Sequence, residues 1–164
     1  MTSGDPAAAP PTAQKQPDGP GWRVEDGARK LACHVGIGRP VIGEALVASD
    51  DFSARYDLDR IQGVFSRPSH ALAGQSYVDR ILVLNTAKGG VASAWMLHEM
   101  ASRALAPRAI LFNRANTILA QGAALAGMTM VDRFEEGDVC GLIRTGDELF
   151  VDPVAGSVIV RARS

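Results

Sequence analysis

Ile81-Leu82-Val83-Leu84 is an unbroken apolar run that ends in Asn85-Thr86-Ala87-Lys88-Gly89-Gly90 and opens at once into the apolar-periodic stretch 91–105. It reads as a buried strand feeding a helix through glycines. The first amides of a helix have no partner within it and face whatever lies before the turn. Gly89 and Gly90 let a ligand approach that backbone closely, and Lys88 adds a positive charge. Glycines also stand at tight strand-to-helix turns for steric reasons alone, so the turn gains weight only from its surroundings.

Those surroundings repeat the pattern, with a strand expected over 109–112 and a helix over 117–126. A strand-helix-strand crossover within one sheet is nearly always right-handed and makes its strands parallel. Both strand-to-helix turns, 86–90 and 113–116, then fall on one sheet edge. Lys88, Asn113, Arg114 and Asn116 converge there with two helix starts. Shorter runs at 31–35, 43–48, 140–143, 148–151 and 157–160 read as strands, the last two joined by the hairpin turn Asp152-Pro153-Val154-Ala155-Gly156. The expected class is α/β: barrel-like strands with flanking helices around a central right-handed β-α-β-α unit, without the regular repeat of a doubly wound sheet.

A chain of 164 residues with 46% hydrophobic content is of the size for one domain with its own core. Residues 1–28 read as a disordered Pro/Ala/Gly-rich tail, in which Pro6, Pro10, Pro11, Pro17 and Pro20 deny the backbone regular pairing, while 29–164 form the domain. Trp22 is expected to dock on that domain or on a partner. Seventeen basic residues against eighteen acidic ones leave no positive field, so neither nucleic acid nor membrane is an expected partner. No apolar run reaches bilayer-spanning length and the start lacks a secretory pattern, which makes the cytoplasm the expected location. Cys33 and Cys140 have neither zinc-ligand nor disulfide-framework spacing and read as reduced and buried; no metal ligands are expected on this chain.

The segment 50–72 reads as a long irregular loop, of the kind that often carries function. His70 lies in it, ahead of Gly74-Gln75-Ser76, where packing explains a histidine less readily. His34 falls inside a predicted strand, and His98 at the border of a helix face formed by Val91, Ala94, Trp95, Leu97 and Ala101; both read as structural. Ser93, one turn into the helix, has the ordinary reading of a hydroxyl bonded back to the preceding turn. No Ser-His-Asp order, nucleophile elbow or hydrolase carboxylate pair is present, so the polar groups at the turn read as a substrate clamp.

Gly43-Glu44-Ala45-Leu46-Val47, His70, Gly74-Gln75-Ser76, Ile81-Leu82-Val83-Leu84, Lys88-Gly89, Ala106-Pro107-Arg108-Ala109-Ile110 and Arg144-Thr145-Gly146-Asp147 stand in a recognisable order. Over about 33–160 the chain resembles the small, swivelling-domain subunit of aconitase X type dehydratases. That resemblance implies a swivelling β/β/α domain closing over a large aconitase X type subunit, whose cysteines hold an iron–sulfur cluster or metal ion. It implies dehydration of a small hydroxy acid, cis-3-hydroxy-L-proline or phosphomevalonate among the family's substrates, by loss of a proton and a hydroxyl. On this reading Lys88, Gly89, Gly90, Ser76, Asn113 and Arg114 bind substrate, and Ser93 and His70 are the catalytic candidates. Phosphomevalonate-dehydrating relatives carry a serine directly after Lys/Arg-Gly, taken as the proton acceptor, where this chain has Gly90. Ser93 comes three residues later, about 4.5 Å further along a helix. The Trp-Gly-Gly stretch of many relatives is replaced by 56–67. A competing reading is a non-catalytic swivel or binding domain related to phosphohistidine domains. Gly89-Gly90-Val91-Ala92-Ser93 matches the start of their Gly-Gly-x-x-Ser-His motif, with Ala94 in the acceptor's place.

Overall fold

The computed structural model describes residues 20–22 and 27–163. Of the expected tail, 1–19 and 23–26 lie outside the described residues. Trp22 docks on the domain, with the Arg161 guanidinium carbon 4.8 Å from its ring centroid.

Strand β5 (Ile81–Thr86) is the centre of the molecule. It pairs in parallel with β2 (Val41–Val47) on one side and with β6 (Ala109–Arg114) on the other, and β6 pairs in parallel with β7 (Thr129–Asp132). Beyond β2 the sheet turns antiparallel through β8 (Glu148–Asp152), β9 (Ser157–Arg161) and β1 (Ala28–Ala32). Side chains alternate between two cores, as strands covered on both faces require. Ile81, Val83, Ala109 and Leu111 pack with Leu149, Val151, Val158 and Val160 of the antiparallel strands. Leu82, Leu84, Ile110 and Phe112 pack instead beneath helices α2 (Val91–Ser102) and α3 (Thr117–Ala126), against Leu97, Met100, Leu119 and Ala123.

The chain leaving β1 crosses to the far end of the sheet. His34 donates its amide to the Asp132 carbonyl at 3.1 Å, and Ile37 and Met130 exchange both amide hydrogen bonds at 2.9 Å. The two ends of the sheet are thereby tied into the expected barrel-like closure, which occupies edge groups that would otherwise stand unpaired. The flanking helices and the β5-α2-β6-α3 unit also match the sequence expectation.

Several local expectations are overturned. The run 140–143 is not a strand: it lies in a short helix, α4 (Val139–Leu142), whose start is capped by Asp138 accepting from the Cys140 amide at 3.0 Å. The segment 50–72 is more ordered than a loop, containing α1 (Ala54–Asp57) and a small hairpin of β3 (Leu58–Asp59) and β4 (Val64–Phe65). Strand β7 was not expected. His34 lies beyond β1 and is exposed, and both cysteines are free but only half-buried. The buried face of α2 is Ser93, Leu97 and Met100, while Val91 and Trp95 are 63% and 68% exposed.

That rotation of α2 follows from backbone contact with α3. A Cβ on Gly122 would sit 2.6 Å from the Ala94 Cα and 2.7 Å from its Cβ, so the helices meet at a glycine-alanine seam. Such close approach turns the large Val91 and Trp95 side chains outward. Asn116 caps α3 by accepting from the Leu119 amide at 2.7 Å, and Gly127, at φ +67°, ends it. Gly122→Ala gains about 1 kcal/mol of helix propensity but overpacks the seam. It is expected to lower stability by a net ~1–3 kcal/mol, read as a fall in melting temperature. A rise would show that α2 and α3 do not touch in this way.

Candidate functional site

The parallel strands β2, β5 and β6 point their C-terminal ends to one edge, where their apolar patterns give way to Asp50-Asp51, Asn85-Thr86 and Asn113-Arg114. Asp51 organises this edge. Its Oδ1 accepts from Thr86 Oγ1 at 2.6 Å and from Asn85 Nδ2 at 2.9 Å, and its Oδ2 lies 3.0 Å from Lys88 Nζ. The Thr86 hydrogen bond, followed by that of Lys88, holds the Asp51 carboxyl below its ordinary range. The backbone reinforces the arrangement: Phe52 donates to the Thr86 carbonyl at 2.8 Å, and Lys88 donates to the Phe52 carbonyl at 2.7 Å. Lys88 is therefore a positioned cation with 66% of its side chain exposed, tethered at one end to Asp51.

Gly89 has φ +101°, and a Cβ there would overlap the Ser93 hydroxyl and stand 3.7 Å from Ser53 Oγ. Only glycine fits this position on both counts. Ser93 is 2% exposed, tucked beneath the turn. Gly90 is the N-cap of α2 and offers no side-chain cap; a Cβ there would meet nothing within 4 Å. Asn116 reaches across from the α3 start, its Nδ2 donating to the Gly89 carbonyl at 3.3 Å and the Ala87 carbonyl at 3.4 Å.

The segment 50–72 folds against this turn and leaves a cleft of about 290 Å³ lined by Lys88 with its partner Asp51 and by Asp50, Ser53, Asp57, Arg67 and His70. Asp57 is buried and accepts from the Ser53 amide at 2.7 Å and from Arg67 Nη1 at 3.3 Å. His70 stacks on Phe65 with centroids 4.7 Å apart, and its Nδ1 accepts from the Leu72 amide at 3.1 Å. Asp50 accepts from the Ala71 amide at 3.1 Å.

Of the residues singled out in the sequence, Lys88 and His70 share the cleft, and Gly89 and Ser93 adjoin it. Gly90 opens the neighbouring helix. Asn113 and Arg114 lie on the same edge but outside the cleft: Asn113 donates to Asn85 Oδ1 at 3.1 Å and Asp138 Oδ1 at 2.7 Å and accepts from the Val139 amide at 2.8 Å, bracing α4. Arg114 is exposed at the end of β6. Ser76 is remote, its hydroxyl donating to the Gly63 carbonyl at 3.1 Å. The sequence reading missed Asp51, Ser53 and Arg67; the Asp50-Asp51 pair straight after an apolar strand was the available signal.

Burial, followed by the Asp132, Glu136 and Asp152 carboxylates, pushes the Cys33 thiol up to about 11, and burial with Asp138 does the same for Cys140. At neutral pH both are held as thiols, and among the described residues no three His, Cys, Asp or Glu side chains converge at ligand distance. The described residues thus present no donor set that fits a cluster or metal ion. Ala94, at the phosphohistidine position, is packed against Gly122 and carries no group that could accept a phosphoryl. No helix among the described residues is long and apolar enough to cross a membrane.

This fold, with its glycine turn at the open edge of a β-α-β-α unit, defines a swivel domain, and the aconitase X swivel domain family matches residues 30–160. The chain belongs to that family. Phosphomevalonate dehydratase small subunit of Methanocella arvoryzae is 32% identical over 116 residues, covering 71% of this chain and 87% of that protein. Its counterpart in Thermococcus sibiricus is 32% identical over 124 residues, 76% of this chain and 92% of that one. The crystal structure of Thermococcus kodakaraensis aconitase X in its holo-form superposes with a TM-score of 0.76 at 27% identity, covering 82% of this chain and 99% of that chain.

The Asp51 network has a consequence for pH. A carboxyl whose folded-state value is depressed contributes its full stabilisation above the unfolded value and loses it as pH falls through the folded one. NMR titration of the Asp51 carboxyl is expected to give a midpoint below the ordinary 3.8, rising toward it in Thr86→Val. A wild-type midpoint at or above 3.8 would mean that Asp51 does not hold Thr86 and Lys88 together.

Proposed function

We propose that the chain is the small subunit of a two-chain aconitase X type hydro-lyase that dehydrates a small hydroxy acid, with the cleft between the 50–72 segment and the Lys88-Gly89-Gly90 turn as its half of the active site. The observation that carries this reading is the convergence of that turn with His70, Ser53 and Arg67 in one cleft, at the C-terminal ends of parallel strands. Ligands of open α/β sheets bind at such ends. The dehydratase names of the relatives support the reaction class.

Dehydration breaks a C–H bond, forms a C=C bond and expels the hydroxyl, which leaves as water once protonated. The protein must hold the acid still, accept the carbon proton and assist the departing hydroxyl. Lys88, tethered by Asp51, supplies a positioned charge for the first task, and Gly89 with Gly90 leaves the α2 amides open to an anion. The iron–sulfur cluster or metal ion that the resemblance implies would supply Lewis acidity toward the hydroxyl and would have to be held by the large subunit.

The substrate of this reading is cis-3-hydroxy-L-proline or a similar hydroxy acid, since Gly90 provides no hydroxyl where the resemblance implies a serine in phosphomevalonate-dehydrating relatives. Phosphomevalonate is the second reading, and it rests on the names of the relatives. The purified full chain should turn over neither compound alone, and turnover of cis-3-hydroxy-L-proline should appear on reconstitution with the large subunit. In that complex Lys88→Ala should lower kcat/KM about tenfold or more, a loss of about 1.4 kcal/mol, with little change in melting temperature. Turnover by the isolated chain would overturn the two-chain reading. Unchanged kcat/KM in Lys88→Ala would remove Lys88 from the clamp.

Ser93 lies beneath the Gly89 backbone, a poor position from which to reach a substrate carbon. Ser93→Ala is therefore expected to keep kcat within about threefold of wild type, an outcome that would put proton abstraction on another group. A loss of about 10²-fold or more in kcat at constant KM would instead make Ser93 the proton acceptor.

A further inference from the structure

Two donors in the wall of the cleft have no acceptor among the described residues. Ser53 is 7% exposed, and although its amide donates to Asp57, its hydroxyl has no hydrogen-bond partner. His70 is 5% exposed; because its Nδ1 accepts from the Leu72 amide, the neutral ring carries its hydrogen on Nε2, which is buried and equally unpartnered. Leaving one buried donor unpaired is unfavourable, and two lining a single cleft call for an acceptor that arrives from outside.

The carboxylates of the cleft are not that acceptor. Asp51 is engaged by Thr86, Asn85 and Lys88, Asp57 by the Ser53 amide and Arg67, and Asp50, which accepts from the Ala71 amide, stands 4.0 Å from the Nδ1 of His70 rather than at Nε2. The Ser53 hydroxyl also lies beside the Gly89 turn, 3.7 Å from where a Cβ on that residue would stand. An oxygen atom received there is close to the start of α2 and to Lys88.

We propose that the Ser53 hydroxyl and the His70 Nε2–H form a two-donor subsite for the carboxylate of a small acid. In the reaction proposed above this would be the substrate's carboxylate, and to that extent the inference rests on that reading. The three carboxylates around the cleft outnumber its two cations, Lys88 and Arg67, so a singly charged carboxylate suits it better than a phosphate dianion. His70 then positions substrate by donating a hydrogen bond and does not take the carbon proton.

The test has a binding arm and a kinetic arm. Isotope-labelled full chain is titrated with glycolate and, separately, with inorganic phosphate, following the His70 ring Nε2–H resonance. Glycolate should shift it saturably and more tightly than phosphate does, and Ser53→Ala should weaken glycolate at least fivefold. Ser53→Ala should also keep or raise the melting temperature, because its hydroxyl has no partner to lose. In the two-chain complex, Ser53→Ala and His70→Phe should each raise KM about tenfold with a smaller effect on kcat, and His70→Gln, whose amide can donate in place of Nε2–H, should recover part of the loss. An unmoved His70 resonance, tighter binding of phosphate, or a destabilised Ser53→Ala with unchanged KM overturns the subsite. A saturable, Ser53-dependent glycolate shift in a chain whose complex dehydrates no hydroxy acid would uphold the subsite and sink the hydro-lyase reading.

Discussion

Ile81, Leu82, Val83 and Leu84 are all fully buried, two on each face of β5, and this double burial is the constraint on which the molecule rests. Each such side chain gains about 1.5–3 kcal/mol only if it is removed from water, so β5 must have a packed layer above and below as well as strands on both sides. Helices α2 and α3 supply one layer and the antiparallel β8 and β9 the other. Polar side chains can then stand only where the strand emerges from its two cores. Asn85 and Thr86 are there, and the segments following β2 and β6 are brought to the same place.

The cleft inherits its order from that emergence. Asp51 is tied to Asn85 and Thr86 before any ligand arrives, and through Lys88 it fixes a turn whose glycine would otherwise be among the freest residues of the chain. The organisation is prepaid in the fold, which lowers the entropy lost when a small acid is captured. Asn116 contributes from the opposite side, capping α3 with its carbonyl oxygen and holding the Gly89 carbonyl with its amide nitrogen. One side chain thus couples the second helix start to the first turn.

What the sequence disclosed and what it hid follow from the range of the forces involved. The strands and helices of the central unit were readable because each carries a long periodic signal, and the Lys88 turn because glycines punctuate it. The helix α4 was mistaken for a strand because four residues are too few to show a period, although Asp138 ahead of them is a helix-start signal. The face of α2 was misjudged because side-chain hydrophobicity favours burying Trp95, whereas the seam between Ala94 and Gly122, a contact across sequence, decides the rotation. Strand β7 is short and gains its place by pairing with β6 and with the segment after β1, neither of which is local. His70 was visible as a candidate, but its orientation was not, since that depends on the Leu72 amide and the Phe65 ring. Ser53 carried no signal at all: only burial without a partner distinguishes it from any other serine.

Ala28 stands opposite Arg161 in the pairing of β1 with β9, so the two ends of the folded unit leave it side by side. A body whose ends depart on opposite flanks is stretched between its attachments, whereas one whose ends depart together is held as if by a single stem. Rotation about such a stem strains no strand pairing, and a tether added at either end leaves the closed sheet unchanged. The same adjacency makes the order of the strands indifferent to where the chain is cut: joining the two ends and opening a surface turn elsewhere would keep every pairing in the sheet.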